Sequence, residues 1–145
     1  MKLLAQRVLG ASIKIEDNLI VSIDQGVLVF VAIEKKDNIE SCNKASNKLL
    51  SYNIFSDLHG RISKNIIEVD GEILLIPQVT LAMNTKKGIK PSFSEAADPQ
   101  KGLHLFNTFF DLLLSEFKNV KSGVFGADMQ VNLINDGPVT FLFEI

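Results

Sequence analysis

The chain has 145 residues, 46% of them hydrophobic, and a formal net charge of −2 at pH 7. That length predicts one domain, residues 1–145, with enough apolar residues for a real core. The charge excludes a global attraction to nucleic acid, so any RNA contact needs a local basic patch. Cys42 is the one cysteine. It excludes an intrachain disulfide, suits a reducing compartment, and reads as a small buried or surface thiol rather than a nucleophile. The opening apolar run, Leu3-Leu4-Ala5, is too short for a signal peptide, and no run is long enough to span a bilayer. A cytosolic location is expected.

Residues 2–9 read as a strand. Residues 11–16 alternate Ala-Ser-Ile-Lys-Ile-Glu, the period-2 pattern of a half-buried strand. Asp17-Asn18 signals a turn, residues 19–23 complete a hairpin, and Asp24-Gln25-Gly26 turns again. Residues 27–33 are apolar without interruption, as in a strand covered on both faces. Residues 37–50 carry apolar positions at helical spacing, ending at Tyr52. Ile54-Phe55 predicts a short strand, residues 57–63 a loop, and residues 72–79 a buried strand. Residues 84–97 have no clear period and predict a long ordered functional loop. Asp98-Pro99 starts a helix with a cap and a proline at the first position. Leu103, Phe106, Phe110 and Leu113-Leu114 form its apolar face. Strands follow at 120–125, 129–135 and 139–144. The pattern predicts an α+β fold, mostly an antiparallel, barrel-like sheet with two main helices.

Few motifs carry chemistry. His59 and His104 lack neighbours at metal-ligand spacing, so neither a metal nor another cofactor is expected. No Gly-x-Ser-x-Gly, Walker or dinucleotide fingerprint occurs. Thr80 ends an apolar run beside Gln78, but threonine needs an adjacent base to become a nucleophile, and this segment offers none. A strand-end hydroxyl bonded to backbone or ligand is the plainer reading. The Gln78 amide suits a ligand or a backbone group equally. Lys86, Lys87 and Lys90 form a cluster without an acid; most such clusters are solvated loop faces, but this one follows the Gln78/Thr80 segment directly, which favours phosphate contact as the alternative. Phe93 and Phe125 read as core or cleft residues, with base stacking the lesser option.

The chain's end is its most informative stretch. Asn135-Asp136-Gly137-Pro138-Val139-Thr140 separates two apolar runs, and proline has no N–H for a sheet ladder. A turn at Asp-Gly-Pro would project a stiff dipeptide from a hairpin tip. With it stand Gln6-Arg7-Val8, Pro77-Gln78-Val79-Thr80-Leu81, Lys87-Gly88 with Pro91-Ser92-Phe93-Ser94, and Phe125-Gly126-Ala127-Asp128-Met129-Gln130-Val131. In this order, from first strand to last, they resemble the D-aminoacyl-tRNA deacylase family, also called D-tyrosyl-tRNA deacylase.

That resemblance implies a homodimeric barrel with helices that cleaves the ester between a D-amino acid and the terminal adenosine of tRNA. Gly137 and Pro138 of one subunit would enter the other's pocket with their peptide bond cis and act as a chirality filter. A cis bond is accessible before proline and turns two successive carbonyls to one side. Such a pair holds an α-amino group and leaves no room for an L side chain, which is steric exclusion. Glycine would pass, making glycyl-tRNA mischarged on tRNA-Ala a second substrate. The resemblance also implies assistance by the 2′-hydroxyl of the terminal ribose. Gln78 and Thr80 would then position the ester and help hold the oxyanion, through backbone N–H groups around Val79-Thr80. Pro77, Val79, Phe125, Ala127 and Met129 would bind substrate, with Phe125 at the adenosine end. Arg7 and Asn135 would support the tip, and Lys86, Lys87 and Lys90 would meet tRNA.

Pro77 departs from the family pattern, where serine is common, and Val79 stands where phenylalanine is common. A sister branch beginning this motif Pro-Gln holds its Gly-Pro bond trans. Arg7 and Asn135-x-Gly137-Pro138-Val139-Thr140 side with the D-specific branch. Asn53 and Ser63 replace residues that are usually arginine and asparagine. A non-catalytic dimeric barrel that binds a nucleotide or an RNA 3′ end is the alternative.

Overall fold

The protein is described here by a computed structural model covering residues 1–84 and 89–145. Eight strands and two helices follow in the order β1 (Lys2–Ile15), β2 (Asn18–Ile23), β3 (Gly26–Ala32), α1 (Ile39–Ser51), β4 (Phe55–Ser56), β5 (Ile62–Lys64), β6 (Glu72–Pro77), α2 (Pro99–Glu116), β7 (Val120–Ser122) and β8 (Gln130–Glu144) among the described residues. A 3₁₀ turn, Val79–Ala82, follows β6.

β1 organises the sheet. One of its edges carries β3 and then β2, and the other carries β8 along nearly its whole length, all antiparallel. β6 joins β3, and β7 joins β6, in parallel. The parallel pairs follow from α1 and α2, because a parallel neighbour needs a crossover connection. Lys121 of β7 donates to the Ser22 carbonyl of β2 at 2.8 Å, drawing the sheet's ends together into the expected barrel-like form.

Two expected strands, residues 2–9 and 11–16, are one strand. Leu9 is an extra residue, since Val8 pairs with Asn135 and Gly10 with Ile134. A one-residue bulge reverses which face each side chain takes. Leu3 and Ala5 accordingly face the helices, in a core with Leu49, Leu105, Phe109 and Leu113. Ala11 and Ile13 face the barrel interior, with Leu28, Leu74 and Ile76. β3 is covered on both faces, as its unbroken apolar run requires, with Val27 and Val29 in the first core and Leu28 in the second.

α1 starts at an Asn38 cap completed by Ser41, and Asp98 caps α2 with Pro99 in its first turn. The buried face of α2 is Gly102, Leu105, Phe106, Phe109 and Leu113. Leu103 and Leu114, assigned to that face by spacing, are 43% and 39% exposed. They lie at the margins of the stripe, where the 3.6-residue period carries them outward. The strand expected at 120–125 stops at Ser122, and the strand expected at 72–79 stops at Pro77.

The larger correction concerns the chain's end. Residues 129–135 and 139–144 are not two arms of a hairpin, because both halves of β8 pair with β1. Gln6 pairs with Thr140 and Val8 with Asn135, so β8 spends five residues where β1 advances two, leaving three extra. Asp136-Gly137-Pro138 is therefore a wide bulge within one strand.

Candidate active site

A cavity of about 430 Å³ opens at the carboxyl ends of β3 and β6. Ligands favour that end of parallel strands. Val31 and Ile33 continue β3 into its wall, and Pro77, Gln78 and Val79 leave β6 along its floor. The Gln78 N–H donates to the Val31 carbonyl at 2.8 Å, extending the ladder one residue before the 3₁₀ turn begins. Thr80 lies in that turn and is exposed, not at the end of a buried strand as expected. Its Oγ1 accepts from Gln78 Nε2 at 2.5 Å. An amide cannot take a proton from a hydroxyl, so this contact does not activate Thr80. The first N–H groups of the turn, those of Val79 and Thr80, have no intrahelical acceptor by geometry.

The opposite wall is the start of α2, with Asp98, Pro99 and Gly102, preceded by Ala97. Ala97 N–H donates to the Ile33 carbonyl at 3.0 Å, and Glu34 bridges to Ala96, so this wall is stitched to the end of β3. Phe125, Gly126 and Ala127 close the third side. They belong to a turn in which Ala127 N–H donates to the Val124 carbonyl at 3.3 Å. Gly126 has φ +78°, a left-handed conformation glycine adopts without steric penalty.

Of the expected binding residues, Pro77, Gln78, Val79, Phe125 and Ala127 thus meet at one cavity. Met129 does not line it; its side chain packs into the barrel-interior core. Phe93 is 52% exposed rather than buried in core or cleft. Lys90 is exposed, and Lys86 and Lys87 lie outside the described residues. Sequence reasoning did not assign Val31, Ile33, Ala97, Asp98, Pro99, Gly102 or Gly126 to the site. Only Gly102 carried a signal, a glycine inside a helical pattern.

A second assembly holds the bulge. Arg7 is 9% exposed and sits opposite the three extra residues. Its Nε lies 2.9 Å from an Asp136 carboxylate oxygen and donates to the Asp136 carbonyl at 3.1 Å; Nη1 donates to the Ile54 carbonyl at 3.0 Å. Asn135 Nδ2 donates to the carbonyls of Arg7 at 3.0 Å and Val139 at 3.1 Å, closing the neck. A buried guanidinium so surrounded is paired and hydrogen-bonded, as burial of a charge demands. The Gly137-Pro138 bond at the tip is cis, and Gly137 has φ +148°. A Cβ on Gly137 would stand 2.6 Å from the Val139 nitrogen, so only glycine fits.

Gly137 and Pro138 are exposed and do not line the cavity. The bulge faces Arg7, whose partner on β3 is Val27, while the cavity begins at Val31. At strand rise that is about 13 Å along the sheet, and β6 lies three strand spacings, about 14 Å, across it from β8. The tip and the cavity of one chain are separate.

Cys42 is buried, its Sγ 3.5 Å from the Leu105 carbonyl. Burial, then the nearby Asp37 carboxylate, pushes its thiol up to about 11. It is a structural thiol. Among the described residues no three His, Cys, Asp or Glu side chains group as metal ligands, and no helix is long and apolar enough to cross a membrane.

The family model for D-Tyr-tRNA(Tyr) deacylase matches residues 4–144. The D-aminoacyl-tRNA deacylase of Ectopseudomonas mendocina (strain ymp) is 46% identical over 145 residues, covering 100% of both chains. The solved c-Myc DNA Unwinding Element Binding Protein superposes with a TM-score of 0.96 at 34% identity, covering 100% of this chain and 99% of that one. A structure described as "a probable eukaryotic D-amino acid tRNA deacylase" shares the fold, with a TM-score of 0.87 at 18% identity over 99% of this chain and 98% of that one. By a match that runs from the first strand to the last, the chain belongs to the D-Tyr-tRNA(Tyr) deacylase family of hydrolases.

Proposed function

We propose that this chain edits aminoacyl-tRNA, hydrolysing the ester of D-aminoacyl-tRNA to free D-amino acid and tRNA, in the cytoplasm, as one domain of a homodimer. The relatives' name supports the reaction. The observation that carries the mechanism is the separation of tip from cavity: an exposed Gly137-Pro138 tip, held by Arg7 and Asn135, that its own cavity cannot use. A second copy of the chain supplies the matching cavity. Among the described residues β8 pairs with β1 on one edge and with no strand on the other, so its outer edge is available to such a partner.

In this reading the tip filters by shape. Carbonyls at Gly137 and Pro138 receive the α-amino group, and an L side chain meets the tip. Glycine has no side chain to exclude, so glycyl-tRNA mischarged on tRNA-Ala is a second substrate. The cavity holds the terminal adenosine and the ester, with Pro77, Gln78, Val79, Phe125 and Ala127 as its contacts. Water adds to the ester carbonyl, the N–H groups of Val79 and Thr80 stabilise the oxyanion, and the proton reaches the departing 3′-oxygen by way of the 2′-hydroxyl. Lys86, Lys87 and Lys90 meet the tRNA backbone.

The second reading is a non-catalytic barrel binding a nucleotide or RNA 3′ end. It is favoured by Thr80, whose hydroxyl partner is an amide rather than a base. Purified protein incubated with D-tyrosyl-tRNA and L-tyrosyl-tRNA, with chelator present, separates the two. Loss of the D ester alone is expected; binding without cleavage supports the barrel. A substrate with hydrogen in place of the terminal 2′-hydroxyl should bind and remain intact, and an unchanged rate on it would return the catalyst to a protein side chain.

A further inference from the structure

Gly102 occupies a buried position in the α2 face that otherwise holds Leu105, Phe106, Phe109 and Leu113. Alanine there would favour the helix, so helix formation does not account for glycine. The space does. A Cβ on Gly102 would stand 3.2 Å from Phe125 Cζ and 3.7 Å from Cε2. The same ring lies against Phe106, with centroids 6.0 Å apart at an interplanar angle of 52°. Gly102 and Phe125 both line the cavity at the ends of β3 and β6.

We propose that Gly102 is a positioning residue for deacylation: by lacking a side chain, it lets the Phe125 ring rest on α2 and so sets the width of the cavity. The inference rests on the deacylase reading of that cavity. Carbon atoms pack best at about 3.5–4.0 Å, so a methyl group at position 102 forces the ring tip to withdraw by a few tenths of an ångström. The atom displaced is the far end of a side chain on a turn. The ring is backed by Phe106, so it yields on the cavity side. In that reading Phe125 contacts the bound adenosine rather than the reacting ester, so its displacement weakens binding and leaves the chemical step nearly unchanged.

The test compares the wild-type protein, Gly102→Ala, Phe125→Leu and the double variant, with kcat and KM measured on D-tyrosyl-tRNA. Gly102→Ala should raise KM by at least about threefold with kcat within about twofold, and the same change made on Phe125→Leu should have less than half that effect. Its Tm should equal or exceed that of the wild-type protein, which separates repositioning from damage to the fold. Equal effects of Gly102→Ala in both backgrounds, no effect in either, or a lowered Tm overturns the inference. An inert wild-type protein overturns the deacylase reading and this inference together; an active one with additive variants overturns this inference alone.

Discussion

Thr80 and Gly126 show how differently two residues beside one cavity can matter. The Thr80 hydroxyl is exposed and bonded to an amide, so nothing prepares it to attack a carbonyl. Thr80→Ala should keep kcat/KM within about tenfold of wild type, whereas losing a true nucleophile costs about 10⁴-fold or more. Single-turnover deacylation measures this, and a fall to background would make Thr80 the nucleophile. Gly126 matters through its backbone. A Cβ there meets nothing within 4 Å, but φ is +78°. Gly126→Ala should therefore cost about 1 kcal/mol of stability from backbone conformation, roughly 3 °C in Tm. Thermal denaturation checks it; an unchanged Tm would show that the turn does not need the left-handed conformation.

At the level of elements, β8 and β6 are held by polar contacts that the apolar pattern does not announce. In β8 the bulge persists because Arg7 and Asn135 saturate its neck. β6 starts at Glu72, whose carboxylate lies 2.6 Å from Lys121 Nζ and accepts from the Asp24 N–H at 2.7 Å. Burial raises the Glu72 carboxyl, but Lys121 and the Asp24 amide outweigh it and hold it below its ordinary 4.5. A carboxyl lowered in the folded state binds fewer protons there than in the unfolded chain. Its contribution is present above the ordinary value and fades as pH falls through the folded one. Glu72→Gln should lower stability at pH 7 by roughly 1 kcal/mol or less, given the partial exposure of the pair. The gap from wild type should narrow as pH falls below the ordinary carboxyl value of 4.5. Thermal melts across that range decide it, and a gap that widens in acid would contradict the assignment.

For the molecule as a whole, the decisive question is whether two chains build each site. If the tip of one chain serves the cavity of another, a tip-defective variant (Gly137→Val) and a cavity-defective variant (Ala127→Trp) should each be inactive as homodimers. Unfolded and refolded together at equal concentration, they form heterodimers carrying one intact tip-and-cavity pair. Random pairing makes half the dimers mixed, so about a quarter of wild-type activity should return. No recovery, with mixed dimers present, would mean that each chain works alone.

Much of this was legible in the residues. Asp98 marked where the second helix begins, the unbroken run at 27–33 announced a strand buried on both faces, and the short motifs pointed to the family. Local chemistry suffices for these, because caps, periodicity and turn residues act within a few positions of the chain. Other features depended on partners distant in sequence. Whether 129–144 is a hairpin or one bulged strand depends on β1, more than a hundred residues earlier, which pairs with both halves. Gly102 has meaning only beside Phe125, and Met129 leaves the cavity because the barrel interior takes it. Periodicity says which side of an element is apolar, but not which neighbour covers it. That is decided when the sheet curls, the helices cross it, and side chains far apart along the chain compete for the same space.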